Sequence, residues 1–161
     1  MIEKIQLLTT DNVFLSALHY KIEPNSPGMS LFHMMPSTKE SYHNFAQKLQ
    51  NSGIGALAVD LRGHGESQDG PKGYENYSNE QHQKSVFDIK AAIEFQNKEG
   101  HAPLFICGAS IGANLCLYYL TLSKLVKKAI LFSPGLNYKG IEEIPLGKKI
   151  TKEKANTDAR G

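Results

Sequence analysis

The chain has 161 residues, 40% hydrophobic and 21% charged, a composition that suits one domain with a real core and is too short for two. Its formal charge of +2 gives no nucleic-acid footprint. No apolar run approaches the roughly 20 residues of a membrane span, and "MIEKIQLLTTDNVF" lacks a signal-peptide core, so a cytoplasmic location is expected.

In chain order, "KIQLLT" (4–9) and "NVFLSALHYKI" (12–22) read as two strands joined by a turn at Thr10–Asn12. After the breaker "EPNSPG", "MSLFHMM" (29–35) reads as a short buried strand. "ESYHNFAQKLQNSG" then sets Tyr42, Phe45, Ala46 and Leu49 at helical spacing, with Gly53 as the stop. "GALAVDL" (55–61) is a buried strand, followed by the polar, Gly-rich loop "RGHGESQDGPKG". The stretch 78–100 opens with Ser78 and Gln81 in capping-box spacing and predicts one long amphipathic helix. "PLFICG" (103–108) predicts a strand, 111–125 an almost wholly apolar helix, and "KKAILFSPG" (127–135) a last strand.

From Met29 the order is strand, helix, strand, helix, strand, helix, strand. That alternation predicts an α/β fold: a mostly parallel sheet of about six strands with helices on both faces. From Lys139 the pattern dissolves into mixed charge. Residues 1–138 are therefore expected to form the core and 139–161 a polar, loosely ordered tail. Cys107 and Cys116 lie in apolar surroundings and read as buried small hydrophobes rather than a disulfide or a ligand pair.

"CGASIGAN" (107–114) contains G-x-S-x-G between a strand and a helix, the context that motif requires. A tight turn there raises the Ser110 hydroxyl above the sheet and aims the Ile111 N–H at a developing oxyanion. The plainer reading is a Gly-rich helix start with Ser110 as an ordinary cap. Neither Gly-rich stretch is a dinucleotide fingerprint or a P-loop, and the histidines form no metal-ligand cluster, so neither cofactor nor metal is expected.

Three stretches, "LFHMMPSTKESYHNFAQKL", "ALAVDLRGHGES" and "FICGASIGA", give the chain a resemblance to α/β-hydrolase-fold serine hydrolases of the serine esterase or monoacylglycerol-lipase-like kind. It covers roughly residues 1–140, the first two-thirds of such a fold. The resemblance implies Ser110 as nucleophile and Ile111 as one backbone oxyanion donor. It implies Met35, in "HMMPS" (33–37), as the second donor, although Met34 stands where glycine is commonest. It gives Asp60, Arg62, Gly63, His64, Gly65 and Ser67 a structural role in the loop beyond the fourth strand.

The triad in this fold runs Ser, then Asp or Glu, then His. Beyond Ser110 the chain offers Glu142, Glu143, Glu153 and Asp158, but its last histidine is His101. His19, His33, His43, His82 and His101 read as core, surface or structural residues. His64, flanked by glycines, reads as locally hydrogen-bonded. The resemblance places the acid and the base on two further strands absent from residues 1–161. The expectation is thus a hydrolase of small carboxylic esters represented by an incomplete chain with weak or no activity alone. One alternative is a non-catalytic binding protein on the same scaffold; another is catalysis with a base borrowed from His64 or a second subunit. The strand at 129–132 is expected to form an open edge through which the chain self-associates.

Overall fold

The computed structural model describes residues 1–142 and 145–151. Strands β1 (Ile2–Leu8) and β2 (Phe14–Tyr20) form a hairpin whose turn uses Asn12 at φ 62°. The Thr9 carbonyl accepts from the Asn12 N–H, and the Thr9 hydroxyl bonds Asp11. Strands β3 (Gly28–Phe32), β4 (Gly55–Val59), β5 (Leu104–Ala109) and β6 (Val126–Phe132) are mutually parallel. The six-stranded sheet runs β1-β2-β4-β3-β5-β6, with β2 antiparallel to β4. The expected α/β architecture is present.

Helix α1 (His43–Asn51) is entered through a 3-10 turn at Lys39–Tyr42 and covers one face. Ala46 and Leu49 pack there against Tyr20, Met29, Leu31, Ala56, Ala58 and Cys107. The other face carries α3 (Val86–Lys98) and α4 (Ile111–Leu120), where Ile89, Ile93 and Leu115 meet Phe32, Leu57, Val59 and Ile106. Strand alternation divides β4 cleanly: Ala56 and Ala58 face α1, while Leu57 and Val59 face α3 and α4. Both cysteines are free and buried.

Strands end two or three residues earlier than the sequence reading at Phe32, Val59 and Phe132, and two helices differ more. The predicted helix over 78–100 is two helices, α2 (Asn79–Gln83) and α3, broken at Lys84–Ser85. Ser78 does form the capping box with Gln81. At the break the Lys84 N–H donates to the Glu80 carbonyl and the Ser85 N–H to the His82 carbonyl, closing α2 before α3 begins. The stretch 111–125 likewise ends as a helix at Leu120.

The segment after Lys139 is more ordered than its composition predicts. Strands β7 (Asn137–Tyr138) and β8 (Ile141–Glu142) form a small hairpin, and residues 145–151 are helical. Ile141 is buried in the main core and Tyr138 Oη lies 3.0 Å from His82 Nδ1. Ile141, Tyr138 and Leu146 pack on the core, and the Gln83 side chain donates to the Lys139 carbonyl at 2.7 Å, anchoring a segment whose charge alone suggested a loose tail. Glu143, Glu153 and Asp158 lie outside the described residues.

Candidate functional site

The carboxyl ends of β3 and β5 and the start of α4 meet at Ser110. Its backbone sits at φ 50°, ψ −116°, a conformation costing an L-residue about 1–3 kcal/mol. Neighbours on both sides hold it there. The Ser110 N–H donates to the Phe132 carbonyl at 2.9 Å, and its carbonyl accepts from the Asn114 N–H at 3.0 Å. The side chain is exposed, and its hydroxyl has no hydrogen bond among the described residues. Glycine is required on either side. A Cβ on Gly108 would collide with the Gly112 backbone, and one on Gly112 with the Phe32 carbonyl. The helix therefore starts close against β3, as the G-x-S-x-G spacing anticipates.

Ile111 is the first residue of α4; its side chain is buried and its N–H has no acceptor among the described residues. It is one of the orphan donors every helix start carries.

Across the sheet end, His33 is fully buried and fixes the loop that contains Met35. The Leu61 N–H donates to His33 Nε2 at 3.1 Å, so the ring proton sits on Nδ1 and is donated to the Met34 carbonyl at 2.9 Å. The Ser37 N–H donates to that same carbonyl at 2.8 Å. A peptide unit is planar, so anchoring the Met34 carbonyl also fixes the direction of the Met35 N–H. Burial pushes the His33 pKa down to about 4 against the opposing pull of the Met34 bond, which keeps the ring neutral near pH 7. Sequence reasoning passed over this bridge; its signal was a histidine ending an apolar strand immediately before the loop.

The loop after β4 is built from two ion networks. Lys39, fully buried, places Nζ 2.7 Å from Asp60 Oδ2, 2.7 Å from Glu66 and 2.9 Å from Glu40. Burial opposes its charge, but these carboxylates outweigh burial and raise its pKa. Arg62 donates from its backbone N–H and guanidinium to Asp88, at 2.7 to 2.9 Å, and from the guanidinium to Asp11 at 2.6 and 2.9 Å. Gly65, at φ 50°, lies so close to Asp60 that any side chain would strike the carboxylate. Ser67 Oγ donates to the Asp60 carbonyl and accepts from the Ser16 N–H. Neither Lys39 nor Asp88 stood out in the sequence.

The histidines are engaged elsewhere. His64 is buried, stacked on Tyr74 at 4.1 Å, with Nδ1 donating to the Arg62 carbonyl. Its Nε2 is buried without a partner among the described residues, and burial lowers its pKa. His19 packs on Phe95, His43 meets Tyr20 Oη, His82 sits between Tyr77 and Tyr138, and His101 donates to the Ser26 carbonyl. No hydrogen bond or ring contact joins any of them to Ser110.

One further residue belongs to the site. The Asn114 side chain donates to the Gly135 carbonyl at 2.8 Å and accepts from the Gly135 N–H at 3.1 Å. It ties the first turn of α4 to the loop after β6, where Ser133 is itself at φ 48°.

A family model described as "Serine aminopeptidase, S33" matches residues 27–157. No curated protein matches the chain. Among solved structures, DcsB in complex with its substrate analogue superposes with a TM-score of 0.74 at 17% identity, over 86% of this chain and 47% of that one. The α/β hydrolase GrgF from Penicillium sp. sh18 gives 0.73 at 20% identity, over 99% and 54%. The Pyrococcus furiosus esterase Pf2001 gives 0.69 at 23%, over 83% and 52%. Identities this low speak for the fold alone, and the chain spans about half the length of these structures. A family match that runs through Ser110, on a sheet shared with solved α/β hydrolases, makes this chain a member of the serine aminopeptidase family of α/β hydrolases.

Proposed function

We propose that the chain carries the nucleophile half of a serine hydrolase acting on carboxylic esters. Ser110 Oγ attacks the acyl carbon, and the N–H groups of Ile111 and Met35 receive the negative charge that forms on the carbonyl oxygen. The observation that carries this reading is the strained, exposed Ser110 at the start of α4, with its hydroxyl and the adjacent Ile111 N–H both without a partner among the described residues. An ordinary helix cap would turn its hydroxyl back onto the helix amides, and Ser110 makes no such bond. Ester and peptide hydrolysis are both acyl transfers to such a hydroxyl; the ester is the reading that follows from the resemblance of "ALAVDLRGHGES" and "FICGASIGA" to serine esterases.

The proton leaving Ser110 needs a base. All six histidines are held by other partners, and none follows Ser110 in the sequence. In this reading an acid and an imidazole from outside residues 1–161 complete the centre. The 161-residue chain alone then turns over esters only in traces, since loss of the base costs a serine hydrolase on the order of a million-fold. Retention of the fold as a binding scaffold is the alternative, and the same experiment separates the two. A fluorophosphonate probe is expected to label Ser110 slowly, with the adduct mapped by peptide mass spectrometry and lost in Ser110→Ala. An unlabelled Ser110, or labelling unaffected by Ser110→Ala, overturns the catalytic reading and leaves the scaffold reading standing.

A further inference from the structure

The turn at Ser110 and the loop after β6 are hydrogen-bonded to each other at both ends. Ala109 pairs with Phe132 in the β5–β6 ladder, so Ser110 and Ser133 are the next residues of adjacent strands. At one end the Ser110 N–H donates to the Phe132 carbonyl at 2.9 Å. At the other, the Asn114 side chain holds both backbone groups of Gly135, at 2.8 and 3.1 Å. The Asn114 N–H also donates to the Ser110 carbonyl at 3.0 Å. Turn and loop thus close a ring through residues 110, 114, 135 and 132. Gly135 offers one acceptor and one donor, so only one orientation of the amide fits.

Asn114 is 1% exposed, between Ala113 and Leu115, which are both fully buried. Asparagine is a poor helix former, and its amide is costly to bury unless bonded. On packing grounds alone a leucine would suit this place; the amide answers to Gly135. The loop it holds is itself strained. Ser133 sits at φ 48°, beside Ser110 at φ 50°, and an L-residue leaves such a conformation when its surroundings allow. Ser133 also shares the peptide plane that carries the Phe132 carbonyl. With Gly135 released, Ser133 is free to relax. That rotation either swings the loop away from α4 or turns the Phe132 carbonyl off the Ser110 N–H.

We infer that Asn114 is a positioning residue for the nucleophile: its grip on Gly135 keeps the Ser110 turn in the geometry from which Oγ attacks. The inference rests on Ser110 being that nucleophile. Asn114 acts through the loop and the Phe132 carbonyl, not by contact with substrate.

Two replacements in the full chain test it with the fluorophosphonate probe. Asn114→Leu nearly keeps the volume and removes both bonds to Gly135. Asn114→Asp keeps the acceptor for the Gly135 N–H and loses the donor. The rate of Ser110 labelling, measured without denaturant on chains that circular dichroism shows to be folded, is expected to fall about tenfold or more in Asn114→Leu. In Asn114→Asp the fall is expected to be smaller. Leu15→Ala is the control: Leu15 is buried on β2, so the change lowers the denaturant midpoint and leaves the labelling rate at the parent's. An Asn114 that only stabilised the fold would behave as Leu15 does. Should Asn114→Leu fail to fold, Asn114→Asp decides alone. A rate equal to the parent's in the folded Asn114 variants overturns the inference and leaves Ser110 as nucleophile. A parent chain in which Ser110 takes no label overturns the nucleophile reading, and the inference falls with it.

Discussion

Ser110 spends stability to hold its side chain outward. At φ 50° and ψ −116° the strain is removed by any residue without a Cβ. Ser110→Gly is therefore expected to stabilise the fold by about 1 kcal/mol, after the added flexibility of the unfolded chain is subtracted. Ser110→Ala keeps the Cβ and is expected to leave stability nearly unchanged. Urea unfolding of the two variants checks the difference. If both behave alike, the turn is not strained. The motif made this residue legible from the sequence, because spacing and context fix the backbone there. The oxyanion candidates were less legible: a backbone N–H leaves no trace in residue identity, and Met35 acquires its orientation from His33, a contact across the sheet end.

Among the elements, strands were easier to read than helices. Short apolar runs such as "GALAV", bounded by turn residues, suit a buried strand between two covered faces. The break within 78–100 left no trace in the sequence, because Lys84–Ser85 carries no glycine or proline. Asp88 holds α3 to the loop after β4 through Arg62. Burial drives its pKa upward and the guanidinium opposes this. Asp88→Ala leaves Arg62 buried with Asp11 as its remaining carboxylate, and is expected to cost about 3 kcal/mol or more. A denaturant midpoint equal to that of the parent chain would show that the pair contributes nothing.

For the molecule as a whole, buried neutral histidines set an acid limit. The His33 pKa falls from 6.5 to about 4 through burial, and those of His19, His64 and His82 are lowered in the same direction by the same cause. As pH falls from about 6.5 towards 4, the unfolded chain takes up protons that the folded chain refuses. Stability is therefore full above that window and lost through it, with His33 alone contributing about 3 kcal/mol. In His33→Gln the decline between pH 7 and 5 is expected to be shallower by roughly one proton, read from unfolding free energies at the two values. An unchanged slope would mean that His33 already titrates normally in the fold. The sheet was foreseeable because alternating strands and helices leave few topologies. The hairpin around Lys139 was not, since it depends on contacts of Tyr138, Lys139 and Ile141 with helices distant in sequence.

The amide of Asn114 grips Gly135 by both its carbonyl and its N–H, four residues along the helix from Ser110. Helix start and returning loop are thus tied by one side chain, and Asn114→Ala removes both bonds together, leaving the loop that follows Phe132 without its hold on the turn beside the hydroxyl.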